Sequence, residues 1–147
     1  PPVAFQYLFT ADREMHHEEL VIPALTAGKV VITDRCFWSA IPYGLLDRRS
    51  DVDENSIEYM LAAQGILSMY HQFVVPDFTF YLDISLNVAM ARIAASDEAS
   101  EIYEERSKLG KVINGYKWLL KEFPEEFVKI EGARSVEEVT EEMISYL

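Results

Sequence analysis

Asp34 and Arg35 stand directly after Val30-Val31-Ile32-Thr33. A short β-branched apolar run of this kind predicts a strand buried on both faces, as in a parallel sheet. Open parallel sheets bind ligands beyond the carboxyl ends of their strands, which is where this pair falls. A carboxylate there can hold a hydrated magnesium ion or orient a nucleophilic oxygen. A neighbouring guanidinium can clamp a phosphate with two parallel hydrogen bonds. The same two residues also read as an exposed ion pair closing a strand. Phe9 and Arg13 are four apart and share one face of a helix. A ring beside a guanidinium could stack on a nucleobase and bond its edge, although an aromatic at helical spacing also packs a core. His16-His17 reads as a solvated pair, because adjacent histidines point to different sides of a helix. Asp83 reads as a structural or capping residue.

These residues need elements to hold them. Residues 3–27 follow helix period, with Pro23 interrupting and Gly28 as the stop. Residues 36–50 read as a loop or short helix punctuated by Pro42 and Gly44, and residues 53–73 return to helix period. A second strand runs over 78–84, Ser85 caps a helix over 86–95, and 103–122 are helical. Phe127-Val128-Lys129-Ile130 makes a third strand, and Ser135 with Glu138 forms a capping-box pattern before the last helix. Strands alternating with helices mean an α/β domain with a mainly parallel sheet. Three strands joined by long helical excursions leave room for further strands, so the 147 residues are expected to be a portion of a longer polypeptide.

Composition bounds the partners. Half of the residues are hydrophobic, enough to bury a core, and one domain over 1–147 is expected. The formal net charge of −12 argues against a broad basic face for nucleic acid, so any phosphorylated ligand needs a local cationic pocket. No stretch reaches the apolar length of a membrane span. One cysteine, Cys36, fits a reducing compartment, and the cytoplasm is expected.

Taken in order, these pieces carry a resemblance. Leu8-Phe9-Thr10-Ala11-Asp12-Arg13 resembles the Leu-Phe-x-Ala-x-Arg helix motif of the thymidylate kinase family. Asp34-Arg35-Cys36-Phe37-Trp38-Ser39-Ala40-Ile41-Pro42-Tyr43 resembles that family's Asp-Arg signature. Pro76-Asp77-Phe78-Thr79-Phe80-Tyr81-Leu82-Asp83, then Ala89-Met90-Ala91-Arg92 and Ile102-Tyr103-Glu104, continue the match over nearly the whole chain. The resemblance implies a three-layer parallel-sheet P-loop kinase fold, here without its N-terminal strand, P-loop and helix. It implies transfer of the ATP γ-phosphate to dTMP, with magnesium as cofactor and a homodimer as the assembly. Phe9 would stack on thymine and Arg13 would bond its edge. Asp34 would act near the transferred phosphoryl group, through magnesium-bound water or the acceptor phosphate, and Arg35 would bind the acceptor phosphate. Ser39 would lie in the acceptor pocket, Tyr43 against the sugar, and Arg92 over the adenine. The segment 96–111, with Arg106, Lys108 and Lys111, would be the lid. Scattered cations suit phosphoryl transfer, which depends chiefly on positioning and charge neutralisation.

Departures from the family pattern are visible. No Gly-x-x-x-x-Gly-Lys-[Ser/Thr] stands in these residues, so they describe the acceptor side and lid rather than a triphosphate cradle. Ala40 and Gly44 occupy positions where the family often places side chains that touch the base, which leaves thymine recognition to Phe9 and Arg13. Ile102 replaces a frequent lid arginine. Two other readings stand beside the leading one: another nucleoside or nucleotide kinase of the same fold, or a non-catalytic nucleotide-binding protein without the phosphate loop.

Overall fold

The structure is a computed structural model that describes residues 2–48, 56–95 and 102–147. Its residues fall into two compact units, Pro1–Val75 and Pro76–Leu147.

The first unit begins with helix α1 (Pro2–His16), a π turn (His17–Val21) and helix α2 (Ile22–Thr26) in near-continuous succession. Pro23 explains the π turn. Proline offers no N–H, and its ring would press on the carbonyl four residues earlier. Widening the preceding turn relieves that crowding, and Ile22 N–H accordingly reaches five residues back to the His17 carbonyl. The helix then ends as the sequence predicts. Gly28 adopts φ 71°, its N–H bonds the Leu25 carbonyl at 2.9 Å, and Lys29 N–H bonds the Ala24 carbonyl at 3.0 Å. That pair of bonds is the Schellman stop, which favours glycine because the left-handed conformation crowds a Cβ.

Residues 29–33 differ from expectation. They make no ladder, and Val30 and Ile32 are 85% and 90% exposed rather than buried. β-branching sets the local preference for extended backbone, but a strand exists only where a neighbour accepts and donates its bonds. Among the described residues of this unit, no strand is available to pair with it.

After the 3-10 turn Phe37–Ser39, helix α3 (Ala40–Arg48) packs against α1 and against helix α4 (Ile57–Leu67). Gly44 makes that approach possible. A Cβ there would stand 2.8 Å from Ile66 Cδ1 and 3.1 Å from Gln6 Cδ. Ile41, Ala63 and Ile66 are fully enclosed at this crossing. Ser56 starts α4 by accepting the Tyr59 N–H at 3.1 Å. Ser56→Ala is expected to lower stability by about 1 kcal/mol through the lost cap, read as a smaller denaturant midpoint with an unchanged slope.

The second unit holds the strands. β1 (Phe80–Asp83) pairs in parallel with β2 (Val128–Glu131), with Phe80 opposite Val128 and Asp83 opposite Glu131. Parallel pairing needs a crossover, supplied by helices α5 (Leu86–Ala95) and α6 (Ile102–Glu122), which pack on each other. Ser85 caps α5 as the sequence predicts: its hydroxyl accepts the Val88 N–H at 3.3 Å, and its carbonyl accepts the Ala89 N–H. Leu119 and Ile130 are fully buried in this unit. The predicted capping box is present at helix α7 (Val136–Ile144), where Ser135 and Glu138 satisfy each other's backbone N–H groups. The Ser135 bonds hold the Glu138 carboxyl below its ordinary pKa. The described residues thus show two parallel strands with helices, where the sequence predicts three strands.

Candidate functional site

The first unit gathers most of the predicted acceptor residues. Asp34 and Arg35 form a bend between the extended segment and the 3-10 turn, and both are exposed. Arg35 is the one non-glycine residue with positive φ among the described residues, at 67°. A Cβ in that region is crowded by the backbone, so the conformation is retained against a local penalty. Its effect is to aim the guanidinium over α3, with Cζ 5.1 Å from the centre of the Tyr43 ring. A cation at that distance over a ring face is attracted by the ring quadrupole.

Phe9 and Arg13 occupy successive turns of α1. The Phe9 ring is 55% exposed and so is available to a planar ligand. Arg13 is half-buried, and its Nη1 donates to the Tyr70 hydroxyl at 3.1 Å. Arg13 also lies near the loop that follows Asp34-Arg35, because its positive charge acts on Cys36. Burial is the larger influence on that thiol and pushes its pKa up, so it is held as an inert thiol rather than a reactive thiolate.

Ser39 is buried, and its backbone N–H bonds the Cys36 carbonyl at 3.1 Å. Ala40 and Gly44 are enclosed as well. At Gly44 the small size has a packing reason: a Cβ there would press on the side chains of Ile66 and Gln6. The sequence reading counts both as lost base contacts.

The remaining predicted residues belong to the second unit. Arg92, near the end of α5, donates from Nη2 to the Gly132 carbonyl at 2.9 Å. Arg106 donates from Nη2 to Asn87 Oδ1 at 3.0 Å, tying α6 to α5. Residues 96–101 of the expected lid lie outside the described residues; from Ile102 onward the segment is the first part of α6, with Lys108 exposed and Lys111 half-exposed. Asp83 pairs with Lys129 at 2.7 Å across the two strands, which agrees with its structural reading. Beside them burial, then the Asp83 charge and Tyr116, push the Tyr81 phenol up to about 12.

Among the described residues, no group of three or more His, Cys, Asp or Glu gathers to hold a metal. His17 instead packs its ring on Phe73 at 4.6 Å, and burial lowers its pKa, so the histidine pair reads as surface and packing. Asp34 offers one exposed carboxylate. That donor suits a magnesium ion that keeps most of its own waters, and does not suit an ion needing an all-protein cage.

Sequence reasoning missed Tyr70, which lies within the stretch 53–73 read only as helical. It is 3% exposed and lies between Phe37, at 5.9 Å and near-parallel, and Phe73, at 5.1 Å and edge-on. A tyrosine at a core position signals that its hydroxyl needs a partner.

Comparison with known proteins decides the family. The family model described as thymidylate kinase matches residues 2–143. The chain belongs to the thymidylate kinase family. It is 31% identical over 146 residues to the thymidylate kinase of Staphylococcus epidermidis, covering 95% of this chain and 68% of that protein. It is 34% identical over 143 residues to that of Clostridium novyi, covering 95% and 66%, and 32% identical over 148 residues to that of Mesomycoplasma hyopneumoniae, covering 99% and 66%. The chain thus spans about two thirds of the length of these relatives. Family membership makes it a phosphotransferase of the kinase class that acts on dTMP, with the P-loop kinase fold. No described helix is long and apolar enough to cross a membrane.

Proposed function

We propose that the whole protein transfers the γ-phosphoryl group of ATP to dTMP, with this chain supplying the acceptor side. The observation that carries the reading is the aim of Arg35: its guanidinium stands 5.1 Å over the Tyr43 ring. A nucleotide places its phosphate beside its sugar, and a cation beside an aromatic face offers matching partners at that spacing. Arg35 takes the acceptor phosphate through parallel N–H bonds, and Tyr43 packs on the sugar, where it disfavours a 2′-hydroxyl. Phe9 stacks on thymine while Arg13 bonds its edge. Ser39 lies in the acceptor pocket. Asp34 orients the attacking phosphate oxygen and touches magnesium through water. When bound, magnesium neutralises charge that develops on the transferred phosphoryl group. Arg92 lies over adenine, with its guanidinium steadied by the Gly132 carbonyl, and Arg106 and Lys108 belong to the lid.

The family match runs through both units, and this supports one kinase domain with a three-layer parallel-sheet fold rather than two independent domains. The same reading makes ATP and dTMP the substrates, the assembly a homodimer and the compartment the cytoplasm.

Steady-state turnover of the full-length protein with dTMP, dUMP and thymidine tests the acceptor class. With magnesium and ATP present, dTMP is expected to exceed dUMP by roughly 10- to 200-fold in kcat/KM, the discrimination one methyl group can give. Thymidine, lacking the phosphate that Arg35 binds, is expected to turn over least. A preference for thymidine, or no transfer to any of the three, overturns the proposal.

A further inference from the structure

We infer that Tyr70 is a positioning residue, which fixes the Arg13 guanidinium for the edge of the acceptor base. The inference rests on the reading of Arg13 as the base contact. Three observations carry it. The Tyr70 hydroxyl accepts Arg13 Nη1 at 3.1 Å, and the Arg13 Cζ stands 5.8 Å from the Tyr70 ring centre. Tyr70 is itself held on both sides by Phe37 and Phe73, at 5.9 Å and 5.1 Å. Phe37 stands two residues after Arg35, at the start of the 3-10 turn that follows the bend.

Arginine is long and rotamer-rich, so an unrestrained guanidinium loses freedom each time a ligand binds. A buried tyrosine has two torsions, and here its packing fixes both. One N–H of the guanidinium fork bonds the phenol, and four others remain for a base edge. Preorganisation of this kind improves affinity by removing an ordering loss rather than by adding a contact. The aromatic row from Phe37 through Tyr70 also ties the base contact to the loop that carries the phosphate contact. It therefore sets the span between the two ends of the acceptor nucleotide.

The alternative is that the bond only satisfies a buried phenol. Kinetics of the full-length protein separate the two. Tyr70→Phe keeps the ring and removes the acceptor oxygen. It is expected to raise KM for dTMP about three- to tenfold, with kcat, KM for ATP and the unfolding midpoint held near wild type. Arg13→Ala is expected to raise KM for dTMP at least as far, and Tyr70→Phe added to it is expected to change nothing more, because the residue it acts through has gone. If Arg13→Ala raises KM but Tyr70→Phe does not, the positioning role is wrong while the base contact stands. If Arg13→Ala leaves KM for dTMP unchanged, the base contact itself fails and the inference falls with it. A Tyr70→Phe effect that persists in full beside Arg13→Ala, or that spreads to kcat, KM for ATP and the unfolding midpoint, assigns Tyr70 to general packing and overturns the inference.

Discussion

Asp34→Ala in the full-length protein is expected to lower kcat on the order of a thousandfold, while the dissociation constant for dTMP moves less than about threefold. The split follows from where the residue sits. Asp34 is exposed at a bend, and none of the enclosed core residues depends on its carboxylate, so the fold has little reason to respond. On the proposed reading its neighbour Arg35 would keep the phosphate contact, so ground-state affinity is expected to be largely preserved. On that reading what goes is a charge used while the phosphoryl group is in transit. Asp34→Asn preserves shape and removes the charge, and is expected to lose nearly as much turnover. Single-turnover rates measured beside equilibrium dTMP binding check both variants. Unchanged turnover in Asp34→Ala would take this residue out of the mechanism.

Arg35 gives the second large effect, and a separation of stability from activity. Its φ of 67° is a conformation that glycine adopts freely and other residues hold at a cost of about 1 kcal/mol or more. Arg35→Gly relieves that penalty, but loses the attraction to Tyr43 and adds freedom to the unfolded chain, each worth about 0.5–1 kcal/mol. Stability is therefore expected to stay within about 1 kcal/mol of wild type. Catalysis is expected to fall by about a hundredfold or more in kcat/KM for dTMP, since no other predicted phosphate ligand stands at this bend. Arg35→Ala keeps the backbone penalty and loses the same contacts, so it is expected to be both less stable than Arg35→Gly and equally inactive. Chemical denaturation midpoints and steady-state kinetics of the pair test the separation. A glycine variant with near-normal dTMP kinetics would show that the left-handed turn serves the fold alone.

Much of the local structure was legible because it depends on short-range rules. The Gly28 stop, the Ser85 cap and the Ser135–Glu138 box each follow from a few adjacent residues, and each appears as read. The Asp34-Arg35 pair was legible by residue type and by its place after a β-branched run. The run itself makes no ladder among the described residues, because period and propensity describe one segment and pairing needs two. The π turn before Pro23 was legible only as an interruption; the way the helix absorbs a proline depends on which carbonyl the preceding N–H can reach.

By itself, the sequence determined the chemistry at stake: a carboxylate, a guanidinium and an aromatic face in the order of a known kinase family, on helices whose ends are written locally. Tertiary structure decided how those groups act together. The bend turns Arg35 over Tyr43, and the close crossing at Gly44 sets a Cβ there against the side chains of Ile66 and Gln6. The aromatic cluster of Phe37, Tyr70 and Phe73 brings a phenol to Arg13 across 57 residues of sequence. Contacts of that range depend on helix crossings and on which side chains fill the space between them. Neither is encoded in the spacing of neighbouring residues.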